Sequence, residues 1–359
     1  MTDRRPAAEE TAQDAGAAGL PPIAIGGPWF EDLERGVEFD APAITVTAGH
    51  AALHAALFGD RLRLPLDHNT SRAVTGADAP LAHPLIAINI AIGQSTWASQ
   101  RVKANLFYRG LVLRRPVHLG DTLHTRTRVV ARRQNRKQSD RPATGIVALE
   151  MTTVNQRGET VLHCWRCPMI PCRDPQADTG ADDDLEPIGR SDEPPHLAAA
   201  SALPTDWDLR TTQAWRGLRA ADLSPGRRYV IEARDSITAA PELVRASLNM
   251  AMAHTDARLS YLGQRLVYGG HTILMCFAQI TRALPNLVTL SAWESCEHVA
   301  PVLEDDRLRT EFTVSEIVPI DAARGGGALL RIEAEAFASR GDPERESRVL
   351  DWRFWVWSL

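Results

Sequence analysis

An internal repeat is the feature that most restricts how this chain can fold. The segment PVHLGDTLHTRTRVV, beginning at Pro116, matches the segment PVLEDDRLRTEFTVS, beginning at Pro301, without a gap. Six residue pairs, from Pro116/Pro301 to Val129/Val314, are identical and are all 185 positions apart. Trp29 and Trp215 open the two surrounding blocks in a similar way. Such self-similarity predicts a duplicated domain.

The rest of the chain divides around this repeat. Residues 1–28 are rich in Ala, Pro, Gly and charge without apolar periodicity, so we expect a disordered tail. Residues 173–208 contain clusters of Pro, Gly and acidic residues, and we predict a linker outside the core. The 359 residues therefore form two domains of similar size, 29–172 and 209–359.

Each block has one order of predicted elements. A short strand precedes an Ala-rich, helix-prone stretch, and a turn then leads into an apolar helix over Leu85–Thr96 or Thr272–Arg282. Alternating apolar and polar residues follow, as in TGIVALEMTTVNQ and ALLRIEAEAF, which is typical of half-buried antiparallel strands. The fold class is therefore α+β, with a central helix packed on an antiparallel sheet in each block.

Composition excludes several classes of protein. The formal net charge is −5 and no basic stretch is concentrated, so we expect no nucleic-acid partner. No run reaches the ~18–20 apolar residues of a membrane helix, and the polar start does not predict secretion. Five cysteines fit a reducing cytoplasm. Cys164 and Cys167 form a CxxC, but on an alternating strand their thiols point to opposite faces, so we interpret them as structural.

The duplicated arrangement resembles a double hotdog fold, in which a curved antiparallel sheet wraps a central helix. The segment LNMAMAHTDARLSYLGQRLVYGGHTI resembles the hydratase motif of MaoC-like enoyl-CoA hydratases. The segments ANLFYRG, RPVHLGDTL, RRQN and RLVYGGH are similar to the mesaconyl-CoA hydratase (β-methylmalyl-CoA dehydratase) branch of that family. The resemblance covers both blocks and implies a hydro-lyase that acts on an acyl-CoA thioester, with CoA as part of the substrate and no separate cofactor.

The resemblance also assigns catalytic positions. In the family's motif an Asp is followed five residues later by the catalytic His and, two further on, by an Asp or Asn. His254 and Asp256 match the last two positions, and Asn249 stands where the Asp is expected. In the first block Asp60 matches the Asp, but Pro65 replaces the His. We therefore expect catalysis in the second block and a degenerate first block.

The family's His-Gly turn corresponds here to Tyr268-Gly269 or to Gly269-Gly270, with His271 following. Backbone N–H groups of such a turn, at the start of a helix, suit the stabilisation of an enolate oxygen. A neutral imidazole suits proton transfer from water and to the α-carbon. Because the amide of Asn249 cannot accept a proton at neutral pH, we expect His254 to act alone or with Asp256.

Each of these residues also has a structural interpretation. His254 lies in a helix-prone Ala/Met stretch and could be a hydrogen-bonded structural histidine. The glycine pair could provide a positive-φ turn before the helix. His50 and His54, four residues apart, superficially resemble a metal pair, but without a nearby Glu motif we expect no metal site.

Basic residues are candidates for substrate contacts. Arg101, Lys103 and Arg109 could bind the CoA phosphates, and a solvated strand face is the alternative. Arg265 precedes the glycine turn and could pair with a distal carboxylate, if the substrate is dicarboxylic like mesaconyl-CoA.

Two other functions stay open. Hotdog folds also host thioesterases, and the substitutions Pro65 and Asn249 would suit an acyl-CoA-binding protein without catalysis. The sequence does not decide whether the duplicated chain also forms a homodimer.

Overall fold

The computed structural model describes residues 22–137, 140–322, 325–342 and 345–359. The first 21 residues, on which most of the predicted tail falls, lie outside this range, and 22–28 have no regular secondary structure. None of the helices in the described ranges is long and apolar enough to cross a membrane.

The first half contains a helical segment and six strands. Its helices are α1 (Ala48–Phe58), α2 (Arg63–Leu66), α3 (His68–Thr75) and α4 (Pro84–Ser95). Its strands are β1 (Glu38–Asp40), β2 (Ile44–Thr45), β3 (Ala104–Leu113), β4 (Thr122–Gln134), β5 (Thr144–Val154) and β6 (Thr160–Pro171).

The second half repeats this order. Its helices are α6 (Ala240–Ala246) and α7 (Gly269–Ala283), and α5 (Pro195–Ser201) lies in the segment between the halves. Its strands are β7 (Arg227–Val230), β8 (Asp235–Ser236), β9 (Leu287–His298), β10 (Arg307–Pro319), β11 (Ala328–Ser339) and β12 (Glu346–Ser358). Short 3₁₀ turns connect several of these elements, and one of them, Met252–His254, replaces the helix expected around His254.

The two halves share one antiparallel sheet. Its strand order is β1-β4-β5-β6-β3-β9-β12-β11-β10-β7, with β2 beside β4 and β8 beside β10. The halves meet where β3 pairs with β9, with Tyr108 opposite Cys296 and Arg109 opposite Ser295. The double hotdog α+β architecture is thus confirmed as a continuous sheet with two long helices packed on it.

The 185-residue repeat is visible in equivalent contacts. Asp121 accepts a hydrogen bond from the backbone N–H of His118 at 2.8 Å, and Asp306 accepts one from Leu303 at 2.9 Å. The amides of Gln94 and Gln279 donate to the carbonyls of Leu123 and Leu308 respectively. Both members of each pair are 185 positions apart, so the duplication extends to buried polar contacts.

The two central helices pack against each other at a glycine. Helix α4 is buried around most of its circumference, as an apolar helix inside a core should be. A Cβ atom added at Gly270 of α7 would lie 2.1 Å from Oδ1 of Asn89 on α4. Gly270 therefore permits close contact between the helices.

The segment 173–208 connects the halves, but the expectation that it lies outside the core is wrong for its apolar residues. Leu185, Ala199, Leu203 and Trp207 are all less than 9% exposed. The ring of Trp207 stacks on Trp357 of β12 at 6.2 Å between centroids. Proline and acidic residues dominate this segment, and most of its apolar side chains dock on the core, whereas Leu197 is 47% exposed.

Candidate active site

A cavity of about 260 Å³ lies where the two halves meet. The second half contributes the start of α7, the end of β9 and the loop before α7, and the first half contributes β3, the end of α4 and one side chain of β6. Tyr261 and Val299, which are 54% and 44% exposed, mark the mouth, whereas Tyr108 and Arg166 are buried at the floor.

His254 lines this cavity with its ring fixed in one orientation. Its Nδ1 lies 2.8 Å from the carbonyl oxygen of Leu266, which accepts the hydrogen bond. The other ring nitrogen, Nε2, is therefore the one available to the cavity. Burial lowers the pKa of His254 to about 4, while the hydrogen bond to Leu266 opposes this shift. The imidazole is consequently neutral at pH 7 and suited to act as a base.

Gly269 is the first residue of helix α7 and also lines the cavity. The first backbone N–H groups of a helix have no partner within the helix, so they are available to an anionic oxygen. Neither Gly269 nor Gly270 has a positive φ, contrary to the turn interpretation. Glycine is required here by space, since a Cβ on Gly269 would lie 2.3 Å from Nε2 of His298.

Asn249 faces the same cavity from a loop that the first half holds in place. Its Oδ1 accepts a hydrogen bond from the N–H of Ala251 at 2.9 Å. The hydroxyl of Thr96, at the end of α4, accepts from the N–H of Met250 at 2.8 Å. Leu248, just before Asn249, has a φ of 59°, a strained value for a non-glycine residue. The contact with Thr96 thus helps to hold Asn249 in place, although the backbone just before it, at Leu248, is strained.

The structure adds polar residues that the sequence did not single out. His298 at the end of β9 is buried, its Nε2 has no hydrogen-bond partner among the described residues, and burial lowers its pKa to about 4. Arg166 on β6 and Tyr108 on β3 reach the cavity from the first half. Arg166 follows Leu162 and Cys164 on the inward face of its strand. The sequence signal that could have identified Arg166 was a charged residue at an inward-facing position of an alternating strand.

Two residues expected in the site lie outside the cavity. Asp256 caps the turn after it, accepts a hydrogen bond from the N–H of Arg258 and pairs with that guanidinium, which lowers the pKa of Asp256 to about 2. Arg265 pairs with Glu304 at the surface. Both charges are satisfied locally, so neither is positioned to contact a substrate in this cavity.

Two further predicted residues belong to the helix interface. His271 is 1% exposed and its ring contacts Phe58 edge-on at 5.0 Å between centroids. Gly270 faces Asn89, as described above, and neither residue lines the cavity. Tyr268 does line it and packs against His254 at 5.6 Å between ring centroids. Only Tyr268 and Gly269 of the predicted turn therefore face the cavity.

The three basic residues predicted to bind CoA phosphates separate. Lys103 lines the cavity next to the exposed Ala104. Arg101 stacks on the ring of Trp29 at 3.8 Å and donates to the carbonyl of Gly27. Arg109 stacks on Phe107 and faces the carbonyls of the segment between the halves. Lys103 alone of the three is at the cavity.

The equivalent position in the first half is almost filled. A cavity of about 30 Å³ remains there, lined by Trp207, Pro65 and Pro84 among others. Pro84 stands 185 positions before Gly269 and has no backbone N–H to donate. Leu113 stands at the position of His298, so this pocket lacks both an imidazole and the helix N–H.

Asp60 points away from that pocket into a separate cluster. Its Oδ1 lies 3.3 Å from Nε2 of His83, and the ring of His54 stacks on His83 at 4.1 Å between centroids. One ligand atom from each of these three residues lies within 4.8 Å of the other two, and this is the one such group of three His, Cys, Asp or Glu side chains among the described residues. Of the His50–His54 pair, for which we expected no metal site, only His54 belongs to this cluster, because Nδ1 of His50 instead accepts a hydrogen bond from the N–H of Thr47 at the start of α1.

Two known enzymes, a hydratase and a dehydratase, are similar to this chain over most of its length. Mesaconyl-CoA hydratase of Cereibacter sphaeroides is 30% identical over 345 residues, which cover 92% of this chain and 97% of that protein. β-Methylmalyl-CoA dehydratase of Chloroflexus aurantiacus is 28% identical over 331 residues, or 88% of this chain and 89% of that protein. No protein-family model matches the chain.

Solved structures agree on the fold. A conserved hypothetical protein from Mycobacterium tuberculosis, described as having a double hotdog fold, is 43% identical with a TM-score of 0.85, covering 94% of this chain and 100% of that one. A protein described as a MaoC domain dehydratase, from Chloroflexus aurantiacus, is 24% identical with a TM-score of 0.80, covering 96% and 99%.

Proposed function

Since this chain belongs to the family of mesaconyl-CoA hydratase, we propose that it is a hydro-lyase that reversibly adds water to an enoyl-CoA thioester. The observation that carries the proposal is the shared cavity of His254 and Gly269. His254 supplies a neutral imidazole as the base, and Gly269 supplies a helix N–H for the enolate oxygen. The addition of water requires both groups.

In the proposed reaction, Nε2 of His254 takes a proton from water as the oxygen attacks the β-carbon of the conjugated thioester. The electron pair of the double bond moves to the thioester oxygen and forms an enolate. The N–H of Gly269 and the positive end of the α7 dipole stabilise this oxygen. The imidazolium then returns the proton to the α-carbon, so the water is added completely and the thioester bond remains intact.

Asn249 serves to position the attacking water. Its Oδ1 is occupied by the N–H of Ala251, so the amide NH₂ is the end that can bind the water oxygen. An amide does not take up the proton, which leaves His254 as the single base. The reaction needs no separate cofactor, because CoA enters as part of the substrate.

The lining of the cavity supports one binding mode. In this proposal Lys103, which lines the cavity, contacts a CoA phosphate, and the acyl group extends past His254 toward Tyr108. Catalysis belongs to the second-half cavity, since the first-half counterpart lacks the base and the donor. A branched or dicarboxylic short acyl group fits the names of the curated relatives.

The test is a panel of enoyl-CoA and 3-hydroxyacyl-CoA esters, including mesaconyl-CoA, followed by the absorbance of the conjugated thioester. We expect loss of absorbance with the enoyl esters and gain with the hydroxyacyl esters. Free thiol is measured in parallel. Thiol release at the same rate would identify a thioesterase, and binding of CoA esters without turnover would identify a binding protein.

A further inference from the structure

A threonine at the end of each central helix holds a loop of the opposite half. The hydroxyl of Thr96, directly after α4, accepts a hydrogen bond from the backbone N–H of Met250 at 2.8 Å. The hydroxyl of Thr281, near the end of α7, accepts one from the N–H of Arg61 at 3.0 Å. The two threonines are 185 positions apart, and each donates to the carbonyl oxygen three residues before it. The same contact is therefore made twice, once in each direction between the halves.

The two loops are equivalent in detail. Each threonine binds the N–H of the residue directly after Asn249 or Asp60, which are the two residues that match the Asp of the hydratase motif. The Oδ1 atoms of Asn249 and Asp60 each accept the backbone N–H two residues further along, at 2.9 and 2.7 Å. One loop faces the large cavity and the other belongs to the half without a base, so the chain contains a catalytic and a non-catalytic copy of one arrangement.

Helix α4 approaches the loop of Asn249 more closely than a side chain would allow. A Cβ atom on Gly93 would lie 1.7 Å from the carbonyl oxygen of Ser247 and 3.2 Å from the backbone nitrogen of Asn249. In α7 the equivalent residue, 185 positions later, is Ala278. The requirement for glycine therefore applies only to the helix that contacts the loop of Asn249.

The end of α4 is itself held in place from the sheet. Thr96 is 2% exposed and lies between Ser95 and Ser99 in the chain. Nη2 of Arg166, on β6, donates to the carbonyl of Ser95 at 3.1 Å and to Oγ of Ser99 at 2.5 Å. Arg166 thus fixes the turn that carries the Thr96 hydroxyl.

The loop needs such a support because its backbone is strained. Leu248 has a φ of 59°, a conformation that persists in a non-glycine residue only where neighbouring contacts enforce it. Gly93 packs on the loop just before Leu248. Beyond Asn249, the N–H of Met252 donates to the carbonyl of Gln100 at 2.8 Å. The first half therefore contacts the loop on both sides of Asn249.

We propose that Thr96 and Gly93 are positioning residues of the second-half active site. They hold Asn249, and with it the attacking water, at the distance from His254 that proton transfer requires. This inference rests on the proposed hydratase function. A displacement near 1 Å is enough to cost about 100-fold in rate, so one hydrogen bond across the halves matters. The first half, which lacks a base of its own, is then a required part of the catalytic unit.

The test removes the same hydrogen bond in each half. Thr96→Val replaces the hydroxyl by a methyl group and leaves the N–H of Met250 without its acceptor, and Thr281→Val does the same to Arg61. We expect both variants to lower the denaturation midpoint similarly, since each leaves one backbone donor unpaired. Only Thr96→Val should lower kcat for hydration of mesaconyl-CoA, by at least about 10-fold with KM within about threefold. Thr96→Ser, which keeps the hydroxyl, should recover most of this loss.

A double variant shows whether Thr96 acts through Asn249. When Asn249→Ala has already removed the positioned side chain, adding Thr96→Val should lower kcat by less than about twofold. A purely structural contribution would instead multiply the two losses.

The outcomes separate this inference from the proposed function. A native protein that hydrates enoyl-CoA esters while Thr96→Val keeps kcat within about threefold overturns the inference alone. An equal fall of kcat in Thr281→Val, or multiplied losses in the double variant, does the same. A native protein that hydrates no enoyl-CoA rejects the hydratase function itself.

A second variant covers the case in which Thr96→Val does not fold. Gly93→Ala must displace the carbonyl of Ser247, and we expect kcat to fall by about 100-fold. In the native protein the amide proton of Met250 should exchange with solvent at least about 100-fold more slowly than in an unfolded peptide, because its acceptor is buried. Native kcat in Gly93→Ala, or an unprotected Met250 amide, contradicts the proposal.

Discussion

His254 donates a hydrogen bond from Nδ1 to the carbonyl oxygen of Leu266 at 2.8 Å. A carbonyl oxygen can only accept, so the neutral ring carries its proton on Nδ1 and an unshared electron pair on Nε2. The backbone of the segment before α7 therefore selects the tautomer in which the cavity-facing nitrogen is basic. This selection supports proton removal from water.

The pH profile should show the lowered pKa of this imidazole. His254 acts as a base only when neutral, and burial lowers its pKa to about 4. We predict that kcat/KM stays constant from pH 8 to about pH 5 and falls at lower pH. A pantetheine thioester, which lacks the CoA phosphates, serves as the control substrate. A decline centred near pH 6.5 in both substrates would contradict this assignment.

Gly269→Ala should damage the site by crowding. The added Cβ would lie 2.3 Å from Nε2 of the buried His298, so the ring or the start of α7 must shift. We expect a loss of about 100-fold in kcat/KM, the usual effect of a displacement near 1 Å. Gly49→Ala in α1, where the nearest atom is the Thr47 hydroxyl oxygen at 3.3 Å, is the matched control. A loss of equal size in both variants would reject the role of Gly269.

Substitutions at Asn249 separate its two tasks. Asn249→Ala removes the proposed water donor, and we expect kcat/KM to fall by about 100-fold. Asn249→Asp keeps the acceptor for the N–H of Ala251 but also lacks the NH₂ donor. Its carboxylate can instead hold the water by accepting a hydrogen bond from it, so kcat/KM should stay within about tenfold of the native protein at pH 7. Its negative charge should also raise the pKa of His254 and move the acid limb of the profile upward. An unchanged profile in this variant would place Asn249 away from the base.

Trp207→Ala tests whether the first-half pocket is structural. This side chain is 8% exposed and stacks on Trp357, so we expect the free energy of unfolding to fall by about 3 kcal/mol in denaturant titration. Activity of the folded protein should stay within about threefold. New or lost hydratase activity at unchanged stability would show that the first half contributes to catalysis.

The fold was predictable because the signals were periodic. The 185-residue repeat and the alternation in β4–β6 and β10–β12 indicate an antiparallel sheet in each half, and the apolar runs indicate the helices α4 and α7. The pairing of β3 with β9 was not accessible from these patterns, since it depends on how the two halves meet. The buried residues of segment 173–208 were hidden by its polar composition.

The site was only partly predictable because motif position does not specify side-chain direction. His254, Asn249 and Gly269 reach the cavity, whereas Asp256 caps a turn in the same way as Asp67 does in the first half. Arg166 and His298 come from strands distant in sequence, and only the assembled sheet brings them to α7.

The most direct test of the account is the His254→Ala variant. Binding of a CoA ester is measured alongside hydration of mesaconyl-CoA, followed by loss of conjugated-thioester absorbance. We predict that binding is retained and that kcat falls by at least about 100-fold, as expected for removal of a general base. Hydration within about threefold of the native rate would show that the reacting base lies elsewhere.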